Sequence, residues 1–359
     1  MNPSDGMNYA PQGKPAPVVK PGEFVFSAVG LDHGHINGMT NGLLEAGGTL
    51  KYVYDPDPAK VAAFLKAYPA AIPARSEEEV LSDPDTRMVA GAAVPADRGP
   101  LGVRVMEAGK DYFTDKGPFT TLDQLQKARE CAKRTGRKYM VYYSERLHVE
   151  GSILAGYLVD AGEIGRVIAV NGFGPHRLSA ETRPAWFFQK ARYGGILADI
   201  GSHQIEQYLA YSGEEDAVVT AARVANFAHP EYPELEDFGD CVLTGKNGSA
   251  NYFRVDWFTP DGLSTWGDGR VTIVGTKGFI EVRKYVNLAS GRPGGDHVYL
   301  VNGEGEKYID AAGKTGFPFF GKLILDSLER TENAMTQAHA FKAAELCLLA
   351  EEKAEKIAP

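Results

Sequence analysis

Phe24-Val-Phe-Ser-Ala-Val-Gly-Leu-Asp-His-Gly-His35 is the stretch whose reading decides the fold. Residues 23–29 are a short β-rich run that stops at Gly30, and helical character begins at His35 and continues to 46. A strand that ends on glycine and turns directly into a helix is how a dinucleotide fold builds its first crossover. The helix N-terminus there offers unpaired N–H groups and a positive dipole end to a pyrophosphate. Against the spacing G-x-G-x-x-G, Gly30 fits, while Asp32 and His35 hold the second and third glycine positions. Asp32 is expected to cap the helix, accepting from the N–H of Gly34 or His35, or else only to shape the turn. His33 or His35 would offset its charge beside the phosphates.

Outward from this loop the chain alternates. A second strand over 49–54 ends at Asp55, a helix follows over 58–68, a third strand over 87–94 runs to Val94-Pro95, and 99–108 is helical. Strands over 111–114 and 138–143 flank a helix over 122–134. Strand–helix alternation with short connections specifies a doubly wound parallel sheet. Beyond about Arg146 the pattern changes. A helix over 149–161, a run over 164–173 and a helix over 199–211 lead into β-rich runs at 217–227, 240–244, 250–258, 270–274, 279–282 and 297–301. Turn signals such as Lys246-Asn-Gly and Thr276-Lys-Gly separate them, which indicates a largely antiparallel sheet. Helices over 320–330 and 336–356 close the chain.

The expected fold class is therefore α/β, with a Rossmann dinucleotide-binding domain over 23–146 and an α+β domain over 147–359. The open sheet of the second domain needs a cover, and another subunit is the expected one, so a homo-oligomer is predicted. Residues 1–22, rich in proline, glycine and polar side chains, read as an extended arm. It is either a free tail or a strap across the cofactor cleft or a neighbouring subunit.

Composition excludes several classes. With 38 basic against 47 acidic residues in 359, the net charge of −9 and the lack of a Lys/Arg cluster speak against nucleic acid as a partner. No apolar run approaches the length of a spanning helix, so no membrane role is expected. The N-terminus lacks the apolar segment of a secretory signal, and Cys131, Cys241 and Cys347 form no metal knuckle or disulfide framework. A cytoplasmic location and no metal are the expectations.

Four residues carry the expected chemistry. Asp55 closes the second strand 25 residues after Gly30, where a carboxylate accepts from ribose hydroxyls and repels a 2′-phosphate, favouring NAD over NADP. A turn role before Pro56 also satisfies it. Lys116, in Asp115-Lys-Gly-Pro118 at the carboxyl end of a parallel strand, is placed to supply a cation, although an ordinary surface lysine is the alternative. In Tyr193-Gly-Gly-Ile-Leu-Ala-Asp199-Ile-Gly-Ser-His203, Asp199 and His203 lie four apart, and on a helix they would share one face. A carboxylate one turn from an imidazole fixes its tautomer, as a general base requires. The pair Gly194–Gly195 would let another surface, such as a flat ring, approach the backbone. Removing a hydride from a secondary alcohol also means removing a proton. The roughly 9-unit gap between an alcohol and an imidazole is about 12 kcal/mol, so the developing oxyanion needs a cation. A metal reading through Asp199, His203 and His176 offers too few ligands.

These motifs, together with Gly162-Glu-Ile-Gly165 and Val274-Gly-Thr-Lys-Gly-Phe-Ile-Glu281, resemble the glucose–fructose oxidoreductase/inositol dehydrogenase/rhizopine-catabolism (Gfo/Idh/MocA) family over essentially residues 23–357. The resemblance implies NAD as cofactor, Lys116 as the group that polarises the reacting oxygen, His203 as acid/base and Asp199 as the holder of substrate and imidazole. The family's Glu-Lys-Pro is here Asp-Lys-Gly-Pro, and Gly117 is the departure that bears on the aim of Lys116. The arm and the first loop are similar to a branch acting on intact glycosides at C3, including C-glucosides such as puerarin. An inositol or free-sugar dehydrogenase, or a glycosidase that retains its NAD, are the alternatives. Tyr143, Arg146, His176, Trp186 and Tyr193 are the candidate contacts to a carbohydrate substrate. Trp186 suits a flat pyranose face, and Arg146 could equally pair with Glu145 or Glu150. His339 reads as a satisfied helical histidine.

Overall fold

The computed structural model describes residues 6–358 and divides them into two compact units. Among the described residues, one unit comprises Met7–Tyr142 with Phe317–Phe341, and the other comprises Tyr143–Gly316 with residues 342–358 and Gly6.

The first unit is a six-stranded parallel sheet ordered β3-β2-β1-β4-β5-β6. Its strands are β1 (Val25–Val29), β2 (Thr49–Tyr54), β3 (Ile72–Pro73), β4 (Thr86–Gly91), β5 (Asp111–Asp115) and β6 (Tyr139–Tyr142). Helices His35–Glu45, Pro58–Ala67, Glu77–Ser82, Pro95–Glu107 and Leu122–Thr135 make the crossovers. This is the doubly wound order in which ligands bind beyond the carboxyl ends of the strands, where the strand order reverses. Phe26, Ala28, Val89, Ala90, Phe113 and Val141 are fully buried, as strands covered on both faces require.

One expectation needs correction here. The segment Phe317–Phe341 belongs with this unit rather than with a domain over 147–359. The reason is packing: the rings of Phe319 and Phe320 lie on Phe113, Phe320 also reaches Tyr142, and Asp111 accepts from Ser327 Oγ and Arg330 at 2.6 Å each. The arm is bound along the helix His35–Glu45. Ala16 and Val18 donate to the carbonyls of Glu45 and Ala46, and Gly13 N donates to the Glu45 carboxylate at 2.8 Å. Residues 1–5 of the expected arm lie outside the described residues.

The second unit is built on a nine-stranded mixed sheet. Its strands are β7 (Val167–Pro175), β8 (Ala217–Ala225), β9 (Phe238–Gly245), β10 (Ala250–Asp256), β11 (Arg270–Gly275), β12 (Gly278–Arg283), β13 (His297–Asn302), β14 (Gly305–Asp310) and β15 (Glu355–Ile357). Most neighbours are antiparallel, but β10–β7 and β15–β8 are parallel. Phe253 and Val255 of β10 are fully buried on the inner face while Tyr252 is exposed on the outer one. Exposed Val218, Phe279 and Tyr308 share this pattern of outward apolar residues. The expected helix over 199–211 is two helices, Ile196–Asp199 and Gly201–Ser212, joined by Ile200 in helical conformation. No helix among the described residues is long and apolar enough to cross a membrane.

Candidate active site

In the Rossmann unit, Gly30 ends β1 at φ +76°, a left-handed conformation that favours glycine, and an added Cβ there would lie 2.9 Å from Ala93. Asp55, at the end of β2, is buried and accepts from Leu31 N at 2.7 Å and from Asp57 N at 2.9 Å. It thereby ties the first loop to the second strand. Asp32 does not cap the helix. Its carboxylate pairs with Lys60 Nζ at 2.5 Å and accepts from Val94 N at 3.3 Å, next to Pro95 at the first turn of Pro95–Glu107. The cap is supplied instead by His33, whose Nδ1 accepts from His35 N at 3.2 Å. Burial, then His35, hold the His33 pKa well below the usual histidine value against the pull of Asp115. His33 is therefore neutral and adds no charge beside a phosphate. Gly34 is in contact with the arm: a Cβ on it would lie 2.5 Å from Met7 O and 2.6 Å from Asn8 Oδ1.

Lys116 follows β5 and is buried. Its backbone is held by Arg98, a residue that sequence reasoning missed. The Arg98 guanidinium donates to the carbonyls of Lys116 and Gly117 and to Asp115 Oδ2 at 3.2 Å, while its Nε donates to Ala93 O at 2.7 Å. Gly117 adopts φ +67°, so the inserted residue makes a left-handed turn that presents two successive carbonyls to one guanidinium. Asp115 also accepts from Lys116 N at 2.8 Å and pairs with His35 Nδ1 at 3.0 Å. Burial pushes its carboxyl up, but His35 and Arg98 outweigh burial and hold it well below the usual carboxylate range. His33, His35 and Asp115 bring ligand atoms within 4.8 Å of one another. The guanidinium on Asp115 and the N–H on His33 Nδ1 already occupy that donor set, so it is built for internal hydrogen bonds.

The carboxyl ends of β1, β2, β4 and β5 thus carry Gly30, Asp55, Pro95 and Lys116. The switch in strand order, the left-handed Gly30 and the acidic end of β2 all fit an NAD. A separate cavity of about 400 Å³ sits at the opposite, amino ends of β4 and β5. Two of its cations serve structure: Lys110 donates to the carbonyls of Asp83 and Thr86, and Arg330 to those of Ser327 and Gly136.

In the mixed-sheet unit, Asp199 and His203 are both buried. The helix ending in Asp199 is held at its start by two carboxylates. Ile196 N donates to Glu236 at 2.9 Å, Leu197 N donates to Glu351 at 2.6 Å, and Lys190 bridges the two. The room opened by Gly195, at φ +100°, is filled by the Glu351 carboxyl and not by a ring. His176 is buried between Trp257 and Trp266, with ring centroids 5.5 and 4.4 Å away.

The other expected substrate contacts fare differently. Arg146 is committed to a buried pair with Glu206, its Nε at 2.8 Å, and not to Glu145 or Glu150. Tyr143 is fully buried, and the Tyr193 hydroxyl accepts from Glu236 N at 3.0 Å and stacks its ring on Phe187. Trp186 is half-buried beside Phe187. Sequence reasoning also missed a buried Glu145–Lys284 pair, because its members are 139 residues apart and neither sits in a motif.

Residues 28–143 match the oxidoreductase family with an NAD-binding Rossmann fold, and residues 154–281 match the GFO/IDH/MocA C-terminal domain. The chain belongs to the Gfo/Idh/MocA family of oxidoreductases, whose Rossmann domain binds NAD. A crystal structure from Erwinia carotovora atroseptica SCRI1043 is 50% identical with a TM-score of 0.90, covering 94% of this chain and 100% of that one. The scyllo-inositol 2-dehydrogenase (NAD(+)) of Bacillus subtilis (strain 168) is 29% identical over 239 residues, 64% of this chain and 65% of that protein. The D-xylose dehydrogenase of Paenarthrobacter nicotinovorans is 27% identical over 150 residues, 40% and 38% respectively. The chain spans between 38% and 65% of the length of the curated relatives it matches.

Proposed function

We propose that the protein oxidises a secondary hydroxyl of a sugar or glucoside with NAD, acting at C3 of a glucosyl group and giving a 3-oxo-glycoside. The observation that carries this reading is Lys116, buried at the carboxyl end of β5 with its backbone pinned by Arg98. NAD supplies the hydride acceptor when bound. The Lys116 ammonium polarises the reacting oxygen and stabilises the negative charge that develops on it. His203 takes the hydroxyl proton, and Asp199 holds the substrate and the imidazole. Asp55 orders the first loop through Leu31 N and favours a cofactor without a 2′-phosphate.

The relatives named for scyllo-inositol and D-xylose support a polyol or sugar substrate and keep an inositol or free-sugar dehydrogenase as the second reading. The outward residues Val218, Tyr252, Phe279 and Tyr308 support self-association through the open sheet face, and sedimentation as a monomer would contradict it.

Replacing His203 or Lys116 by alanine tests the assignment. Each should lower kcat by roughly 10²–10⁴-fold while NAD still binds, because each acts on the reacting oxygen and not on the nucleotide. A His203→Ala enzyme with near wild-type kcat would make the histidine structural.

A further inference from the structure

Glu145 lies on the short helix Ser144–Leu147 and is buried, as is Lys284 just after β12. Lys284 Nζ donates to Glu145 Oε2 at 2.5 Å. The same oxygen accepts from Gln204 Nε2 at 3.0 Å and Gln207 Nε2 at 3.4 Å, and Gln207 Nε2 also donates to His203 O at 2.7 Å. Gln204 and Gln207 stand on the helix that carries His203, so the carboxylate is docked on the turn of that helix where the imidazole originates. Its second oxygen, Oε1, is buried and has no hydrogen-bond partner among the described residues. Burial pushes the Glu145 carboxyl up, but Lys284, then His203 and His176, hold it down at about 2, so it is an anion at neutral pH.

A buried ion pair is weak evidence for stability, since desolvation costs about as much as the pair returns. Its placement calls for another explanation. We propose that Glu145, kept ionised by Lys284, is a positioning residue that stabilises the imidazolium form of His203. The inference rests on His203 being the acid/base. When His203 accepts the hydroxyl proton it becomes a buried cation, and a buried carboxylate beside it lowers the cost of that charge.

The other charged groups around this helix are already engaged. Glu206 on the same helix pairs with Arg146, and Arg254 and Asp256 on β10 pair with each other at 3.1 Å. Glu150, on the neighbouring helix Glu150–Asp160, accepts from the backbone N–H of Thr315 and Gly316, and Asp160 is at its exposed end. Tyr208 and Tyr211 on the same helix, Tyr143 and His148 at the two ends of the helix bearing Glu145, Asp199 on the preceding helix and His176 beyond β7 are further titratable neighbours.

The test is a proton titration of the His203 imidazole by NMR in the full chain, without and with NAD. His203 is assigned by the signal lost in His203→Ala. Glu145→Gln leaves Lys284 as an unopposed cation, so the His203 midpoint should fall by about one unit or more, a tenfold or greater loss of proton affinity. The acidic limb of the kcat/KM profile should move to lower pH in step. Adding Lys284→Met to Glu145→Gln should recover part of the shift but not all of it. If Glu145→Gln does not fold, the double variant decides alone: a midpoint below wild type supports the role, and an unchanged midpoint overturns it. A folded Glu145→Gln protein with the wild-type midpoint overturns it as well. If instead the acidic limb survives in His203→Ala, the acid/base assignment itself fails, which is a different result.

Discussion

The start of the helix bearing Asp199 is held by a carboxyl from another helix with an unusual proton affinity, and this gives a quantitative prediction. Glu351 accepts from Leu197 N and Ala198 N and pairs with Lys190 at 3.0 Å. Burial, then the Glu236 carboxylate, push its pKa from 4.5 up to about 7, with Lys190 opposing. The folded chain therefore holds this proton more tightly than the unfolded chain does. A raised carboxyl contributes stability that is complete below the unfolded value of 4.5 and is lost as pH rises through about 7. At about 1.4 kcal/mol per unit, the gap corresponds to a loss on the order of 3 kcal/mol. Glu351→Gln keeps an acceptor for Leu197 N and removes the titration. Measured against wild type, the variant should gain stability from about pH 5 to pH 8 on that order, while groups that do not interact with Glu351 cancel in the difference. Urea unfolding followed by tryptophan fluorescence is the assay, because Trp186, Trp257 and Trp266 all belong to the mixed-sheet unit. A difference that is flat with pH, or that runs the other way, would refute the reasoning.

Three further outcomes follow from the Rossmann unit. Arg98→Lys keeps the charge but loses the planar fork that grips two carbonyls and Asp115, so kcat should fall about tenfold or more with NAD affinity nearly unchanged; calorimetry and steady-state kinetics on one preparation separate the two. Gly34→Ala places a methyl against Met7 O and should destabilise by about 1–3 kcal/mol, read by chemical denaturation, and deleting residues 1–10 from that variant should relieve most of the loss. NADP should bind at least about tenfold more weakly than NAD, a difference of about 1.4 kcal/mol, and equal affinities in a titration would remove Asp55 from its assigned role.

The Rossmann unit was legible because its strands are covered on both faces and read as apolar runs with helices between. The strand Ile72–Pro73 and helix Glu77–Ser82 were not, since a two-residue edge strand carries no periodicity. Of the candidate site, Gly30, Asp55 and Lys116 stood out because each directly follows a strand, and Asp199 and His203 because they lie four apart. What Asp32 and Gly195 do was not legible, because their partners Lys60 and Glu351 come from other elements. Arg98 and the Glu145–Lys284 pair were missed for the same reason: a buried charge is identified by what it touches, and contacts across 139 residues leave no local pattern. The arm looked unstructured by composition, yet Gly34 and the carbonyls of Glu45 and Ala46 give it a binding surface.

The most direct measurement is NADH formation from a panel of O- and C-glucosides, free sugars and inositols, with the oxidised carbon of each product located by NMR. The account predicts that O- and C-glucosides both reduce NAD and yield 3-oxo products, since oxidation at C3 leaves the anomeric bond untouched, and that inositols are poor. Myo-inositol as the best substrate with glucosides inert would contradict the glycoside assignment, and no NADH from any polyol would contradict the proposed reaction itself.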